Sequence, residues 1–178
     1  MVGERGTPMD NIIAWNIRGL NWPNKQEDLK AFLHTNKVGM IGLIETKIKM
    51  TNDSVVAIRT FPGWRWDNNS TLTIKGRLWI AWQPRSYEVR VIQNSDQIIH
   101  SYVTQVNTNK KFYITFIYGI NHEQQRQQMW EELKAISHQD RKAKMVYKQS
   151  SHTESLLSRE QYEETMAIWS RTWIRETI

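Results

Sequence analysis

Cysteine is absent from all 178 residues. That absence removes a disulfide scaffold, a cysteine-based zinc site and a thiolate nucleophile together. Long apolar runs are missing too: Val38–Ile44 ends directly at Glu45, far short of the roughly 18 residues that a membrane span needs. Met1–Asp10 is polar and has no apolar stretch of the secretory kind, so an intracellular chain with no membrane contact is expected. Glycine and proline are scarce and unevenly placed. All eight Gly and all four Pro lie at or before Gly119, and residues 120–178 contain neither. Because these residues make the tight turns of antiparallel sheets, the first part reads as strands with turns and the remainder as helix.

The charge is positive, +6 at pH 7. Most of the excess sits before His138, with 17 basic and 12 acidic residues, against 7 and 6 from His138 onward. The charges are interspersed, and no block of five or six like charges forms a basic arm. This permits a polyanionic partner and does not by itself indicate one.

The coarse pattern follows from periodicity. Ile12–Ile17 is a short apolar run suited to a strand covered on both faces, and Val38–Glu45 is a second buried strand. Between them Asn24 is placed to cap a helix through about Thr35, with Leu29, Phe32 and Leu33 as its apolar stripe. Pro62-Gly63 marks a turn ahead of Trp64–Trp66, and Leu78–Trp82 is another apolar strand. Tyr87–Ile92 and Ile98–Val106 alternate with a period near two. Asn107–Lys111 is a turn, followed by Phe112–Tyr118, a strand rich in β-branched and aromatic residues. Asn121 with Gln124 resembles a capping box for a helix to about Ser137, and Ser158 with Gln161 repeats the signal. Tyr162, Met166, Trp169 and Trp173 then form one helical stripe, which reads as packing surface.

Three polar residues stand at strand ends with the parity of apolar neighbours: Asn16 with Ile12 and Ala14, Glu45 with Ile41 and Leu43, Tyr118 with Phe112, Ile114 and Phe116. Polar tips at several strand ends can converge on a ligand at a sheet edge. Plainer roles stay open: Asn16 capping the turn through Arg18-Gly19, Glu45 pairing with Lys47, Tyr118 as an amphipathic edge residue.

The runs Ala14-Trp15-Asn16-Ile17-Arg18-Gly19-Leu20 and Gly42-Leu43-Ile44-Glu45-Thr46-Lys47 resemble the first two signature motifs of the endonuclease/exonuclease/phosphatase superfamily, the DNase I-like fold. Phe116-Ile117-Tyr118-Gly119 resembles its third. Gly76–Trp82, and Gln124–Leu133 with Arg126 and Trp130, are similar to the endonuclease domains of plant LINE-type retrotransposons. The resemblance spans about Asp10–Ser137. It implies a hydrolase of phosphodiester bonds, built as a four-layer α/β sandwich and dependent on Mg²⁺ or Mn²⁺. Glu45 matches the metal-binding carboxylate, Asn16 the residue that helps hold the metal and scissile phosphate, and Tyr118 a phosphate-contacting tyrosine.

Departures from the pattern shape the functional expectation. The family's Gly-Asp-x-Asn motif after the helix that follows the Tyr motif is not found, nor is the terminal Ser-Asp-His. Ser95-Asp96 is followed by Gln97 and lies mid-chain. None of His34, His100, His122, His138 or His152 takes the missing role by motif. The expectation is therefore a truncated DNase I-like sandwich over 10–137 with an unrelated helical tail over 138–178. Functionally it reads as a relic of a retrotransposon endonuclease that is catalytically incomplete; the alternative is a non-catalytic module binding nucleic acid or protein. Any DNA binding would be weak and non-specific, and a nuclear location follows if it acts on DNA. The stripe from Tyr162 to Trp173 is expected to cover apolar sheet surface at Ile41, Leu43, Ile114 and Phe116 that the missing half leaves bare.

Overall fold

The computed structural model describes residues 11–72, 76–119, 123–139 and 143–149. Two four-stranded sheets organise them. The first has the order β1-β2-β4-β3, from β1 (Asn11–Asn16), β2 (Val38–Ile48), β3 (Arg65–Asn68) and β4 (Gly76–Trp82). The second has the order β5-β6-β7-β8, from β5 (Tyr87–Asn94), β6 (Ile98–Gln105), β7 (Lys110–Gly119) and β8 (Ala143–Gln149).

Three separate apolar clusters show how the sheets and helices stack. Leu29 and Leu33 of α1 (Pro23–Thr35) and Val56 and Ala57 of α2 (Asp53–Thr60) pack on Ile41, Leu43, Trp79 and Ala81 of the first sheet. The opposite face of that sheet, through Met40, Ile44, Leu78 and Ile80, meets Ile99, Val103, Ile114 and Phe116 of the second. The far face of the second sheet, at Ile98 and Ile117, is covered by Met129, Leu133 and Ile136 of α3 (Glu123–Gln139). Helices, sheet, sheet and helix make four layers, the arrangement that alternating faces of β2, β4, β6 and β7 dictate. At the centre Gly42 carries no side chain because the Phe116 ring of the opposite sheet occupies the space a Cβ would need.

Several local expectations change. Helix α1 starts at Pro23, with Trp22 at the N-cap position and no side-chain cap. Proline's fixed φ and missing N–H make it a good first residue, so Asn24 falls inside the first turn and does not cap it. Strand β1 is an edge strand and only partly buried, yet it is covered on both faces as expected: Ile13 and Trp15 pack against the cluster with α1 and α2, and Ile12 and Ala14 against the cluster between the sheets. Helix α2 had no sequence signal because Val55, Val56, Ile58 and Thr60 are β-branched and lower helix propensity. Burial of Val56 and Ala57 against the first sheet overrides that preference.

The largest correction concerns the tail. Ala143–Gln149 is a strand, β8, running parallel to β7 from Tyr113↔Ala143 to Gly119↔Gln149. A parallel pair needs a crossover, and α3 supplies it without a Gly or Pro turn. Absence of those residues therefore did not mean helix. The second sheet continues past the expected boundary at 137/138, while the expected stripe from Tyr162 to Trp173 and the Ser158 signal lie outside the described residues. The surface assigned to that stripe is not bare: Ile41 and Leu43 lie in the cluster with α1 and α2, Ile114 and Phe116 in the cluster between the sheets, and all four are fully buried.

Candidate functional site

Parallel pairing of β1 and β2, from Asn11↔Val38 to Asn16↔Ile44, brings their C-terminal ends to one edge of the sandwich. Beyond β1 the chain keeps alongside β2. The backbone N–H of Ile17 donates to Ile44 O (3.0 Å), that of Gly19 to Glu45 O (2.7 Å) and that of Leu20 to Thr46 O (2.8 Å). Asn16 and Glu45 therefore occupy neighbouring rungs.

The backbone at this edge is unusual. Arg18 (φ 49°), Glu45 (φ 58°) and Lys47 (φ 56°) are left-handed without being glycine. Such conformations cost of order 1–3 kcal/mol each and tend to persist at functional sites. They also break the register of β2 with β4 between Ile44 and Ile48. The consequence for Glu45 is direct. Strict alternation would group it with Ile41 and Leu43, on the side of α1 and α2. Asn16 and Tyr118 share parity with residues of the inter-sheet cluster. A left-handed φ interrupts alternation at Glu45 itself, so parity does not fix its direction.

The plainer roles fare differently. Asn16 is half-buried, and its Oδ1 accepts the Arg18 N–H at 3.2 Å, so it does hold the turn through Arg18-Gly19. Glu45 is half-buried, and among the described residues its carboxylate has no ion pair or hydrogen bond; it does not pair with Lys47. Tyr118 is 5% exposed, lies on the interior strand β7 and belongs to the inter-sheet core, so it is not a sheet-edge residue. Its N–H donates to Gln97 O at 2.9 Å.

Side-chain amides tie the two sheets together at one end. Asn69, fully buried, donates through Nδ2 to Ser95 O (3.1 Å) and Asp96 O (2.9 Å), and its Oδ1 accepts the Leu78 N–H at 2.9 Å. Asn94 Nδ2 donates to Asn68 O at 2.8 Å. Asn68 Nδ2 reaches Asp53 Oδ2 at 3.1 Å, which fastens α2 to the same corner. Leu78 is the β4 partner of Ile44, and Ile98, just after the Asp96 carbonyl, is the β6 partner of Ile117. This lock thus fixes the Glu45 end of β2 relative to the Tyr118 end of β7. The sequence cue was the polar run Asp67-Asn68-Asn69-Ser70, whose composition resembles an ordinary loop; its long-range partners gave no signal.

For a divalent cation the donors at this edge are few. Among the described residues no group of three His, Asp or Glu side chains comes together to hold a metal ion. The Glu45 carboxylate is available, while the Asn16 Oδ1 is already engaged by Arg18. Such a pair fits a hard cation that keeps most of its waters and shares a substrate phosphate. No helix among the described residues is long and apolar enough to cross a membrane.

No protein-family model matches the sequence, and no curated protein matches it either. Solved structures do. The endonuclease domain of TRAS1, a telomere-specific non-LTR retrotransposon, aligns with a TM-score of 0.62 at 10% identity, over 88% of this chain and 68% of that one. Humanized D. rerio TDP2 aligns at 0.58 and 14% identity, over 86% and 69%; D. rerio TDP2 has also been solved with a single strand DNA product. An endonuclease/exonuclease/phosphatase family protein from Bacteroides thetaiotaomicron aligns at 0.53 and 9% identity, over 75% and 61%. At these identities the likeness is one of fold: the chain has the DNase I-like architecture of endonucleases, exonucleases and phosphatases, and spans about 61–69% of these structures.

Proposed function

We propose that this chain is a catalytically incomplete relative of a metal-dependent phosphodiesterase, of the retrotransposon-endonuclease kind, that still contacts nucleic-acid phosphates at the Asn16–Glu45 edge. The observation that carries the reading is β8. The resemblance expects Gly-Asp-x-Asn after the helix that follows Tyr118. The strand after that helix is β8, and it brings Lys148 and Gln149 into register with Tyr118 and Gly119. The run Val146-Tyr147-Lys148-Gln149 at that strand end contains neither the Asp nor the Asn of the motif, the residues that would orient the attacking water. A positioned general base contributes about 10²–10⁴-fold, and no described residue at this edge replaces it.

What remains is suited to holding phosphate. Glu45, with Asn16, would hold Mg²⁺ or Mn²⁺ together with its waters, and such an ion would supply charge neutralisation at phosphate oxygens. Asn16 keeps the Arg18-Gly19 turn in place through its bond to the Arg18 N–H. Tyr118 would meet phosphate only from the buried wall on which it sits. The chain would act inside the cell, and in the nucleus where its partner is DNA.

The test incubates pure protein with supercoiled plasmid and Mg²⁺ or Mn²⁺, beside Glu45→Gln, and measures DNA binding across a salt series. Expected are no nicking above background and a mobility shift that weakens with salt, by about −0.9 in log K per log salt for each duplex phosphate neutralised. Nicking that disappears in Glu45→Gln would overturn the incomplete-enzyme reading. A chain that binds no DNA at low salt would remove the phosphate-contacting reading and leave a protein-binding module.

A further inference from the structure

The loop that leaves β1 holds an exposed tryptophan beside this edge. Trp22 is 68% exposed, and among the described residues its indole makes no ring contact and no hydrogen bond. The backbone that carries this indole is held on both sides. Asn21 Nδ2 donates to Lys47 O at 3.0 Å, and the N–H of Gln26 donates to Trp22 O at 3.2 Å. Pro23 locks the next backbone angle. The hydrogen bonds of Gly19 and Leu20 to Glu45 and Thr46 put Trp22 one residue beyond the Lys47 rung, on the same stretch of backbone that presents Glu45.

The loop and the strand end beside it carry an excess of cations, with Glu27 and Asp28 following in α1. Across residues 16–26 and 44–52 the cations are Arg18, Lys25, Lys47 and Lys49, and Glu45 is the one acid. Lys47 and Lys49 are exposed and, among the described residues, carry no ion pair. Lys25 is drawn inward, donating to Ile17 O (3.2 Å) and Arg18 O (3.3 Å), which stiffens the loop. Met50, 59% exposed, follows Lys49 and extends the apolar surface.

An uncovered aromatic face on a fixed backbone, with the exposed cations Lys47 and Lys49 beside it, is the chemistry that recognises an unpaired base and its phosphates. We infer that Trp22 is a stacking seat for single-stranded nucleic acid, with Lys47 and Lys49 contacting the backbone phosphates on either side of the stacked base. A base in a duplex has both faces occupied by its neighbours, so the indole can engage only a base that is unpaired or at a strand end. The edge should therefore prefer single strands, which the scattered charge alone would not produce. Lys47 and Lys49, exposed beside the indole, favour a polyanion over an apolar protein surface as its occupant. The inference rests on the phosphate-contacting reading above and adds the state of the strand.

The experiment measures fluorescence anisotropy of labelled dT15 and of a 15-base-pair duplex with the whole chain, at several salt concentrations, for wild type, Trp22→Ala, Trp22→Phe and the double variant Lys47→Ala/Lys49→Ala. Stacking on an aromatic side chain contributes about 1–3 kcal/mol per base, so Trp22→Ala should weaken dT15 binding by roughly 5–150-fold. It should leave the salt slope unchanged and weaken duplex binding far less, because only the two terminal pairs of the duplex expose a base face. Trp22→Phe should keep most of the affinity. The lysine variant should lower the single-strand slope by about 0.7 for each phosphate it no longer neutralises. Equal loss for dT15 and duplex in Trp22→Ala, or no loss, would overturn the stacking seat while leaving salt-dependent binding intact. Absence of salt-dependent binding to either probe would defeat both this inference and the reading under it. Because Trp22 is exposed, unfolding midpoints of the variants should match wild type, and Trp22→Phe separates lost stacking from a disturbed loop.

Discussion

Replacing Gly42 by alanine tests the packing of the two sheets at its tightest point. Gly42 lies on β2 between Ala14 of β1 and Ile80 of β4, and its empty side faces β7. An added Cβ would fall within the ring of Phe116, touching its Cδ1, Cε1 and Cγ atoms. Phe116 is fully buried within the inter-sheet cluster, so it has no solvent to swing into. Overpacking of this kind costs about 1–3 kcal/mol. Against it, Gly→Ala stabilises by about 0.4–1 kcal/mol through the unfolded chain where the backbone is compatible. The φ of Gly42 is not positive, so that gain applies. The net expectation is a loss of about 1–2 kcal/mol, or roughly 3–6 °C in unfolding midpoint for a chain of this size. Urea unfolding followed by tryptophan fluorescence would measure it, with nine tryptophans as reporters. The sharper readout is a double-mutant cycle with Phe116→Leu, which removes the ring. In that background Gly42→Ala should cost little, giving a coupling of about 1–2 kcal/mol. Unchanged or raised stability of the single variant, or strict additivity with Phe116→Leu, would refute the clash as the reason for glycine.

Asn69→Ala should cost about 2–4 kcal/mol, because it strands the Leu78 N–H and two carbonyls at a fully buried position; hydrogen exchange should show the Leu78 amide losing protection more than that of Ile41, and equal protection would contradict the lock. Glu45→Gly should be as stable as wild type or up to about 1 kcal/mol more so. It relieves a left-handed residue at φ 58°, about 1–2 kcal/mol, against about 0.5–1 kcal/mol for glycine's extra freedom in the unfolded chain. A thermal midpoint clearly below wild type would mean that the Glu45 side chain supports the fold and is not kept at the fold's expense.

Much of the architecture could be read from the sequence because it rests on local periodicity. Ile41, Leu43, Ile114 and Phe116 announced buried strands, and Leu29 and Leu33 announced the buried face of α1; each is buried as the pattern requires. Helix α2 and strand β8 could not be read, for opposite reasons. In α2 the β-branched residues speak for strand, and only the sheet beneath Val56 and Ala57 makes it helical. In β8 the cue was the lack of turn residues, but a crossover helix needs no tight turn to reach a parallel strand. Both outcomes were decided by partners distant in sequence, which a window of a dozen residues does not contain.

The site was legible in a more limited sense. Asn16, Glu45 and Tyr118 were found as polar residues at strand ends, and the strands do bring Asn16 and Glu45 to one edge. Parity, however, gives directions only while the backbone alternates, and it stops alternating where the site begins. Arg18, Glu45 and Lys47 all adopt left-handed backbones there, which nothing in their residue types favours. Glycine or asparagine at those positions would have flagged the bend in advance. The strain has no compensating ion pair or hydrogen bond at the Glu45 carboxylate among the described residues. Conformational cost is therefore borne where the side chain is left available, and Lys47 and Lys49 stand exposed beside it. An edge selected for stability alone would have used the cheaper residue at φ 58°. That Glu45 stands there instead is the physical reason to look for its ligand before treating it as an inert remnant.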